Sequence, residues 1–197
     1  MLSQLLISSF YIAAQMISDI ASLRIISLFG VAIDGGTLIY PITFTLRDML
    51  HKVAGVKTVR IIILTAAGLN LVMAGYFWLV SRLPSGDISQ PDFASVLAPV
   101  WRIVFASIIA EVISEFIDTE IYQFWVEKVT RKYQWSRVLI SNTFSTPVDS
   151  LIFTFIAFYG VLPNAILLQI FFGNIVIKWL TSLISIPGIY LVKEKEA

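Results

Sequence analysis

Six apolar runs, each about as long as a membrane-spanning helix, dominate the sequence and leave little chain between them. A helix needs roughly 20 mostly apolar residues to cross the hydrocarbon core of a bilayer. Only 14% of the 197 residues are charged, against about 25% in soluble domains, which is too few to cover a water-exposed surface. The pattern predicts an all-α integral membrane protein and leaves no room for a soluble catalytic or nucleic-acid-binding domain.

Charged residues, Pro and Gly mark the ends of the six predicted transmembrane spans. The first run lacks a small-residue cleavage pattern, so we expect a retained span and not a signal peptide. We expect residues 1–197 to form a single transmembrane domain, with halves 1–83 and 94–197 on either side of a polar loop. The predicted spans are Leu2 to Leu23, Gly36 to Val53, Val59 to Val80, Pro99 to Tyr122, Leu139 to Gly160 and Ala165 to Ile186.

Lys and Arg are distributed unevenly between the two sides of this predicted bundle. Positively charged loops stay on the cytoplasmic side of a membrane. Ten of the fourteen Lys and Arg residues fall in the connections after spans 2 and 4 and in the C-terminal tail. Arg24, Arg82 and Arg102 fall on the opposite side. We therefore expect a multi-pass protein of the cell membrane with both termini in the cytoplasm.

The two halves share a short sequence pattern. Residues 14–20 in span 1 align without gaps with residues 110–116 in span 4, so that Gln15 matches Glu111 and the two should face each other across a pseudo-two-fold axis. Spans 2 and 5 each contain a proline, Pro41 and Pro147, at which we expect the helix to be interrupted. Because three spans per half is an odd number, the halves must have opposite orientations in the bilayer. Two inverted three-helix repeats with interrupted helices 2 and 5 are typical of secondary transporters, whose binding sites lie near the midplane.

Polar side chains lie on one face of span 4, where contact with lipid would be costly. Glu111, Ser114, Glu115 and Asp118 follow each other at i, i+3, i+4 and i+7. These carboxyls should line a wet cavity in which Glu111 binds a ligand. Glu115 and Asp118, together with Asp48 after span 2, are the candidates for proton coupling. A hydrogen-bond network between helices, with no ligand, is the alternative interpretation.

Spans 2, 5 and 6 add hydroxyl, amide, ammonium and aromatic groups to the same interior. A buried Lys178 in span 6 needs a counter-ion, either Asp149 or a carboxylate of span 4. A purely structural ion pair, or a Lys178 that reaches the cytoplasmic interface, is the alternative. The residues expected to bind substrate are Glu111, Gln15, Asn142, Asp149, Phe153, Lys178, Tyr40, Thr43, Phe44 and Ser114.

The chain carries few of the residues that catalytic and metal sites require. One His and no Cys exclude thiolate chemistry and histidine clusters. No phosphate-binding glycine motif is present, so the chain is not expected to bind ATP itself. We therefore expect no enzymatic activity, no catalytic residue, no metal and no cofactor.

Three stretches of the chain resemble the queuosine precursor transporter family, also called vitamin uptake transporters. They are Tyr40 to Asp48, Ala110 to Asp118, and Ser141 to Asp149 with the following Phe153 to Phe158. The resemblance covers nearly the whole chain. It implies a six-span carrier of the prokaryotic inner membrane that imports a 7-deazaguanine compound, such as preQ0, preQ1 or queuine, for transfer RNA modification.

The predicted residues suit such a ligand. A guanine-like edge offers two adjacent donors and a carbonyl, so the carboxylate of Glu111 or Asp149 can accept both donors. Asn142, Gln15 or Lys178 can donate to the carbonyl. The rings of Phe153, Tyr40 and Phe44 can stack on the face of the heterocycle. The same groups would also suit other planar vitamins.

Two mechanisms are compatible with these features. The first is a secondary transporter whose partners are a small planar heterocyclic substrate and the lipid bilayer, with no nucleic acid and with a homodimer left open. The alternative is the substrate-binding subunit of an energy-coupling-factor vitamin transporter, which requires separate ATPase and scaffold subunits. In that case Ala14, Ser18 and Ser22 would form an exposed docking stripe, because they lie at four-residue spacing. The inverted repeat favours the secondary transporter.

Overall fold

The computed structural model describes residues 2–84, 93–130 and 133–191. The described chain is mostly helical and contains one two-stranded antiparallel hairpin. Two 3₁₀ turns, Gly35–Leu38 and Ile186–Leu191, precede and follow longer helices. The elements are α1 (Leu2–Ala21), β1 (Ile25–Leu28), β2 (Val31–Asp34), α2 (Tyr40–Ala54), α3 (Val56–Ser81), α4 (Phe93–Leu97), α5 (Val100–Lys128), α6 (Gln134–Phe158) and α7 (Asn164–Ser185).

Three segments of the described chain are long and apolar enough to cross a membrane. They are Lys57–Ser81, Phe93–Asp118 and Asn164–Ile184. These segments coincide with predicted spans 3, 4 and 6, while α1, α2 and α6 occupy the places of spans 1, 2 and 5. A helical membrane protein is therefore confirmed, and the six-span inverted repeat stays a prediction.

Many large apolar side chains lie on the outer surface of the bundle, and many polar side chains are buried inside it. Val72 on α3 and Ile184 on α7 expose most of their surface, as lipid-facing residues do. Ser150, Thr154 and Asn174 are completely buried between helices. Lipid offers no hydrogen bonds, so polar side chains avoid it and collect in the interior of such a bundle.

Apolar packing holds the two ends of the bundle. One buried cluster joins α5, α6 and α7 through residues such as Ile103, Phe158 and Ile170, and the hairpin packs against it. A second cluster joins α1, α2 and α3 around Leu50 and Val59. Along α5 and α6, the buried polar side chains lie next to the first cluster. The candidate site therefore lies in the middle of the bundle.

A β-hairpin between α1 and α2 is a feature that the sequence analysis does not include. Its strands are antiparallel, with Leu28 opposite Val31. Phe29 and Gly30 form a two-residue turn with φ values of 51° and 81°, the positive values that tight hairpin turns require. A Cβ atom on Gly173 of α7 would lie 2.5 Å from Cγ2 of Ile33. The hairpin therefore packs directly on the backbone of α7.

The two prolines do not produce the matching pair of interrupted helices that we expected. Predicted span 2 consists of a 3₁₀ turn followed by α2, with Ile39 between them. Pro41 lies in the first turn of α2, where a missing N–H group removes no helical hydrogen bond. Pro147 lies inside α6, which continues from Gln134 to Phe158 as one helix.

Candidate functional site

A buried ion pair between α6 and α7 lies at the centre of the site. Nζ of Lys178 donates to Oδ2 of Asp149 at 2.6 Å, which confirms Asp149 as the counter-ion expected for this lysine. The ammonium also lies 4.8 Å from the ring centre of Tyr40 and 5.8 Å from that of Phe153. The Ser114 hydroxyl lies 3.4 Å from Oδ1 of Asp149. One cation is thus held by a carboxylate and two aromatic faces in the interior of the bundle.

Glu111 forms a second polar group between α1 and α5. Its Oε1 accepts a hydrogen bond of 2.6 Å from the Tyr11 hydroxyl and another from Nε2 of Gln15. Gln15 also donates to the Tyr11 oxygen at 2.9 Å. The contact that the alignment of the two halves predicted between Gln15 and Glu111 is therefore confirmed.

Asp34, at the end of the hairpin, ties three elements together. Its Oδ1 accepts from the Ser22 hydroxyl at 2.7 Å and from the Thr37 backbone N–H at 3.1 Å. Its Oδ2 accepts from the Thr37 hydroxyl at 2.8 Å and from Nδ2 of Asn174 at 2.6 Å. Four donors satisfy this carboxylate, so Asp34 is a structural anchor that joins the hairpin to α1 and α7.

The end of the hairpin and helices α1, α2, α5, α6 and α7 line a narrow, partly open cavity with about 270 Å³ of empty space. Its shape leaves room for about one water molecule. The walls combine three carboxyls, one ammonium and two aromatic rings, which belong to Asp19, Asp34, Asp149, Lys178, Tyr40 and Phe153. Ion-pairing and stacking groups therefore face one small space in the interior of the bundle.

A further charged cluster lies around Arg47, at the end of the bundle that the distribution of Lys and Arg predicts to be cytoplasmic. Arg47 of α2 donates to Oδ2 of Asp118 on α5 at 3.2 Å, and the Ser145 hydroxyl of α6 donates to Oδ1 of the same carboxylate at 3.2 Å. Nε of Arg47 lies 3.9 Å from Oδ1 of Asp48, and its guanidinium lies 5.5 Å from the ring centre of Phe44. This cluster joins α2, α5 and α6.

A wider groove opens at the other end of the bundle, with about 1240 Å³ of empty space that is partly open to the surroundings. Arg24 and Arg102 line it, and positive-inside reasoning predicts both on the external side. Ile103 and Ala157 also line it, one helical turn along α5 and α6 from Ser107 and Phe153 of the cavity. The groove and the cavity thus share the seam between these two helices.

The structure brings together only part of the predicted substrate-binding set. Asp149, Phe153, Lys178 and Tyr40 line the cavity. Asn142 donates to the Ser182 hydroxyl at 2.5 Å elsewhere along the α6–α7 contact. The remaining members are buried outside the cavity wall: Gln15, Thr43, Phe44, Glu111 and Ser114.

The proton-coupling candidates also separate. Asp48 and Asp118 belong to the cluster around Arg47, and the Glu115 side chain lies outside the described residues. Asp19 and Asp34, by contrast, line the cavity without having been predicted as site residues. Asp19 is the residue that aligns with Glu115, so the internal repeat carried a signal for it.

Apolar outer surfaces and a polar cavity between helices are typical of a helical membrane protein with charged and polar groups in its interior. Residues 34–192 match the family model described as "Putative vitamin uptake transporter". Over 190 residues the chain is 30% identical to the "Probable queuosine precursor transporter" of Bacillus subtilis (strain 168), covering 92% of this chain and 80% of the relative. No solved structure matches the chain. The chain belongs to this family of vitamin uptake transporters, as its resemblance predicted.

Proposed function

We propose that this protein is a secondary transporter, not an enzyme, that imports a queuosine precursor, a 7-deazaguanine compound such as preQ0, preQ1 or queuine. The observation that carries the proposal is the cavity in which Asp149, Lys178, Tyr40 and Phe153 meet. A planar heterocycle with donors and a carbonyl on one edge needs a carboxylate, a cationic donor and stacking faces. The name of the Bacillus subtilis relative supports the same class of substrate.

Binding requires a rearrangement of the cavity, because its walls leave room for about one water molecule. We infer that the heterocycle separates the Asp149–Lys178 pair. Asp149 then accepts the two adjacent donors, while Lys178 donates to the carbonyl and the rings of Tyr40 and Phe153 cover the flat faces. Ligand and ion pair compete for the same groups, so ligand occupancy favours a different conformation of the bundle.

Three regions form the route that we propose across the membrane. The wide groove beside Arg102 is the external vestibule, and the cavity is the binding site. The pair of Arg47 and Asp118 closes the cytoplasmic side, because it joins α2 to α5. We assign proton coupling to Asp48, Asp118 and Glu115.

The proposed arrangement is a single transmembrane domain of two inverted three-helix repeats, with halves 1–83 and 94–197. The hydrogen bond between Gln15 and Glu111 supports it, because these residues occupy matching positions of the two halves. We place the protein in the prokaryotic inner membrane as a multi-pass protein with both termini in the cytoplasm. It acts alone or as a homodimer, on a small heterocycle and without nucleic acid.

The alternative, a substrate-binding subunit of an energy-coupling-factor transporter, receives less support. It needs the stripe of Ala14, Ser18 and Ser22 as a docking surface. All three residues are buried, and the Ser18 hydroxyl donates to the carbonyl of Gly36 at 3.1 Å. A Cβ atom on Gly36 would clash with both Ser18 and Ser22. The stripe therefore serves close packing inside the molecule.

Uptake by purified protein in liposomes tests the function. Vesicles loaded with buffer should accumulate labelled preQ0, preQ1 or queuine without ATP or other proteins, and empty vesicles should not. Binding without uptake, corrected only by added ATPase and scaffold subunits, would favour the alternative. Absence of both binding and uptake for all three compounds would refute the proposed substrate class.

A further inference from the structure

Asp19 of α1 is a buried carboxylate that the proposed transport route does not yet use. Its side chain lines the cavity, and the residue is only 3% exposed. Ser107 lies beside one side of the carboxyl group. Oδ2 of Asp19 has no hydrogen-bond partner among the described residues. A buried oxygen that faces a cavity without a partner is a position at which a ligand can donate.

The charges around Asp19 leave its carboxylate uncompensated. Asp149 is paired with Lys178 in a buried ion pair. Asp34 is satisfied by four donors of the protein, two of them the amide groups of Thr37 and Asn174. Within the described ranges no Lys, Arg or His forms an ion pair with Asp19. A positive charge on the ligand would therefore stabilise an ionised Asp19, because an isolated buried charge is very costly.

We propose that Asp19 is the acceptor for a protonated amine carried by the ligand. The rings of Tyr40 and Phe153 line the same cavity as Asp19, so one ligand can stack on the rings and extend an amine to the carboxylate. The site then selects planar heterocycles with a cationic side arm over neutral ones. This inference rests on the proposed function and specifies the ligand for that same cavity.

A protonated amine fits this position better than a metal ion does. A hard metal cation takes about six or more oxygen ligands. The hydroxyls nearest to Asp19 in sequence are already engaged, because Ser18 donates to the Gly36 carbonyl and Ser22 donates to Asp34. One unpartnered carboxylate oxygen is sufficient for an amine, which forms a short, charge-assisted hydrogen bond.

Two probes that differ in one side arm test the proposal. PreQ1 carries an aminomethyl group, which is cationic at neutral pH, and preQ0 carries a neutral nitrile at the same position. Dissociation constants of both should be measured by calorimetry for the wild-type protein, Asp19→Asn and Asp19→Glu in detergent. Glu127→Gln is the matched control, since it removes an exposed carboxylate near the end of α5.

We expect the wild-type protein to bind preQ1 more tightly than preQ0. Asp19→Asn should weaken the binding of preQ1 by about ten- to a hundredfold, which is the range for a lost hydrogen bond to a charged group. The same change should alter the dissociation constant of preQ0 less than about threefold. Asp19→Glu should retain the preference for preQ1, and Glu127→Gln should alter neither affinity.

The outcomes separate this inference from the proposed function. If the wild-type protein binds neither probe, the proposed substrate class fails. If the wild-type protein binds both probes but prefers preQ0, the proposed contact between Asp19 and the amine is refuted. It is also refuted if Asp19→Asn weakens the binding of both probes equally, or of neither. The wild-type preference needs no variant, so a poorly folding Asp19→Asn still leaves the inference open to refutation.

Discussion

Neutralising Asp149 alone should destabilise the protein more than neutralising the whole ion pair. The atoms Nζ of Lys178 and Oδ2 of Asp149 are 2.6 Å apart, and both side chains are nearly inaccessible. At an effective dielectric constant of about 20, that separation corresponds to a gross attraction of about 6 kcal/mol. Asp149→Asn removes this attraction and leaves the ammonium of Lys178 buried. Such a change costs about 3–5 kcal/mol when one partner of a buried pair is lost.

The aromatic neighbours of Lys178 do not replace the carboxylate. Its ammonium lies 4.8 Å from the Tyr40 ring centre and 5.8 Å from the Phe153 ring centre. Such contacts contribute about 0.5–2 kcal/mol each. Asp149→Asn should therefore lower the thermal midpoint by roughly 6–20 °C, from about 2–4 °C per kcal/mol for a chain of this length. The double variant Asp149→Asn, Lys178→Gln should recover most of that loss, because no buried charge remains.

Thermal unfolding in detergent and uptake into liposomes should be measured on the same preparations. The double variant should be stable and fail to transport, because neither the acceptor nor the cationic donor is left. Glu127→Gln, on the exposed end of α5, should match the wild-type protein in both assays. The reasoning is refuted if Asp149→Asn melts like the wild-type protein, or if the double variant is no more stable than Asp149→Asn.

Three further changes test separate parts of the structure. Glu111→Gln should lower stability by about 1 kcal/mol or more in thermal unfolding, because a neutral amide replaces the carboxylate that accepts from both Tyr11 and Gln15; unchanged stability would show that these two hydrogen bonds contribute little. Gly173→Leu should lower stability by about 1–3 kcal/mol in thermal unfolding, since its side chain would meet the hairpin, whereas Gly68→Leu has open space and should not. Cysteines placed at the exposed positions Ser95 and Lys128 of this Cys-free chain should react with an impermeant reagent from opposite sides of the membrane, and labelling from one side would contradict the predicted orientation.

Contacts between transmembrane helices were the part of the site that the sequence revealed best. Gln15 and Glu111 were paired by the internal repeat, and Lys178 required a carboxylate because lipid excludes an unpaired charge. Both inferences follow from the high cost of polar groups in hydrocarbon, which leaves few arrangements for each.

The hairpin and its anchor were not predicted, because their signal is local and weak. The strands are four residues each, too short for a clear alternating pattern, and the turn residues Phe29 and Gly30 are not a common hairpin pair. Asp34 is followed by two glycines, a pattern typical of a break between helices and not of a buried anchor. Its partner Asn174 is 140 residues away in sequence, a separation that no local pattern encodes.

Asp19 was missed for a different reason. Asp19 belongs to the stretch of span 1 that aligns with span 4. Most of the predicted site carboxylates come from the polar face of span 4, which carries Glu111, Glu115 and Asp118. A carboxylate inside an apolar run is costly wherever it occurs, so Asp19 carried the same physical signal by itself. The separation of the Arg47–Asp118 pair from the cavity could not be predicted, because it depends on how the helices pack against each other.

The attachment of the hairpin to α7 constrains the order in which the molecule can be built. Strands β1 and β2 form a two-stranded sheet whose outer edges have no neighbouring strand, and such edges cannot face hydrocarbon unless other groups bind them, as Gln169 of α7 accepts from the Ala32 N–H at 3.4 Å. Their cover is Gly173 and the neighbouring turns of the last long helix. During synthesis the ribosome completes α1 to α6 before α7, so the hairpin cannot reach this packing until the last long helix has been made. We therefore expect insertion of α7 and burial of the hairpin to occur together, late in biogenesis.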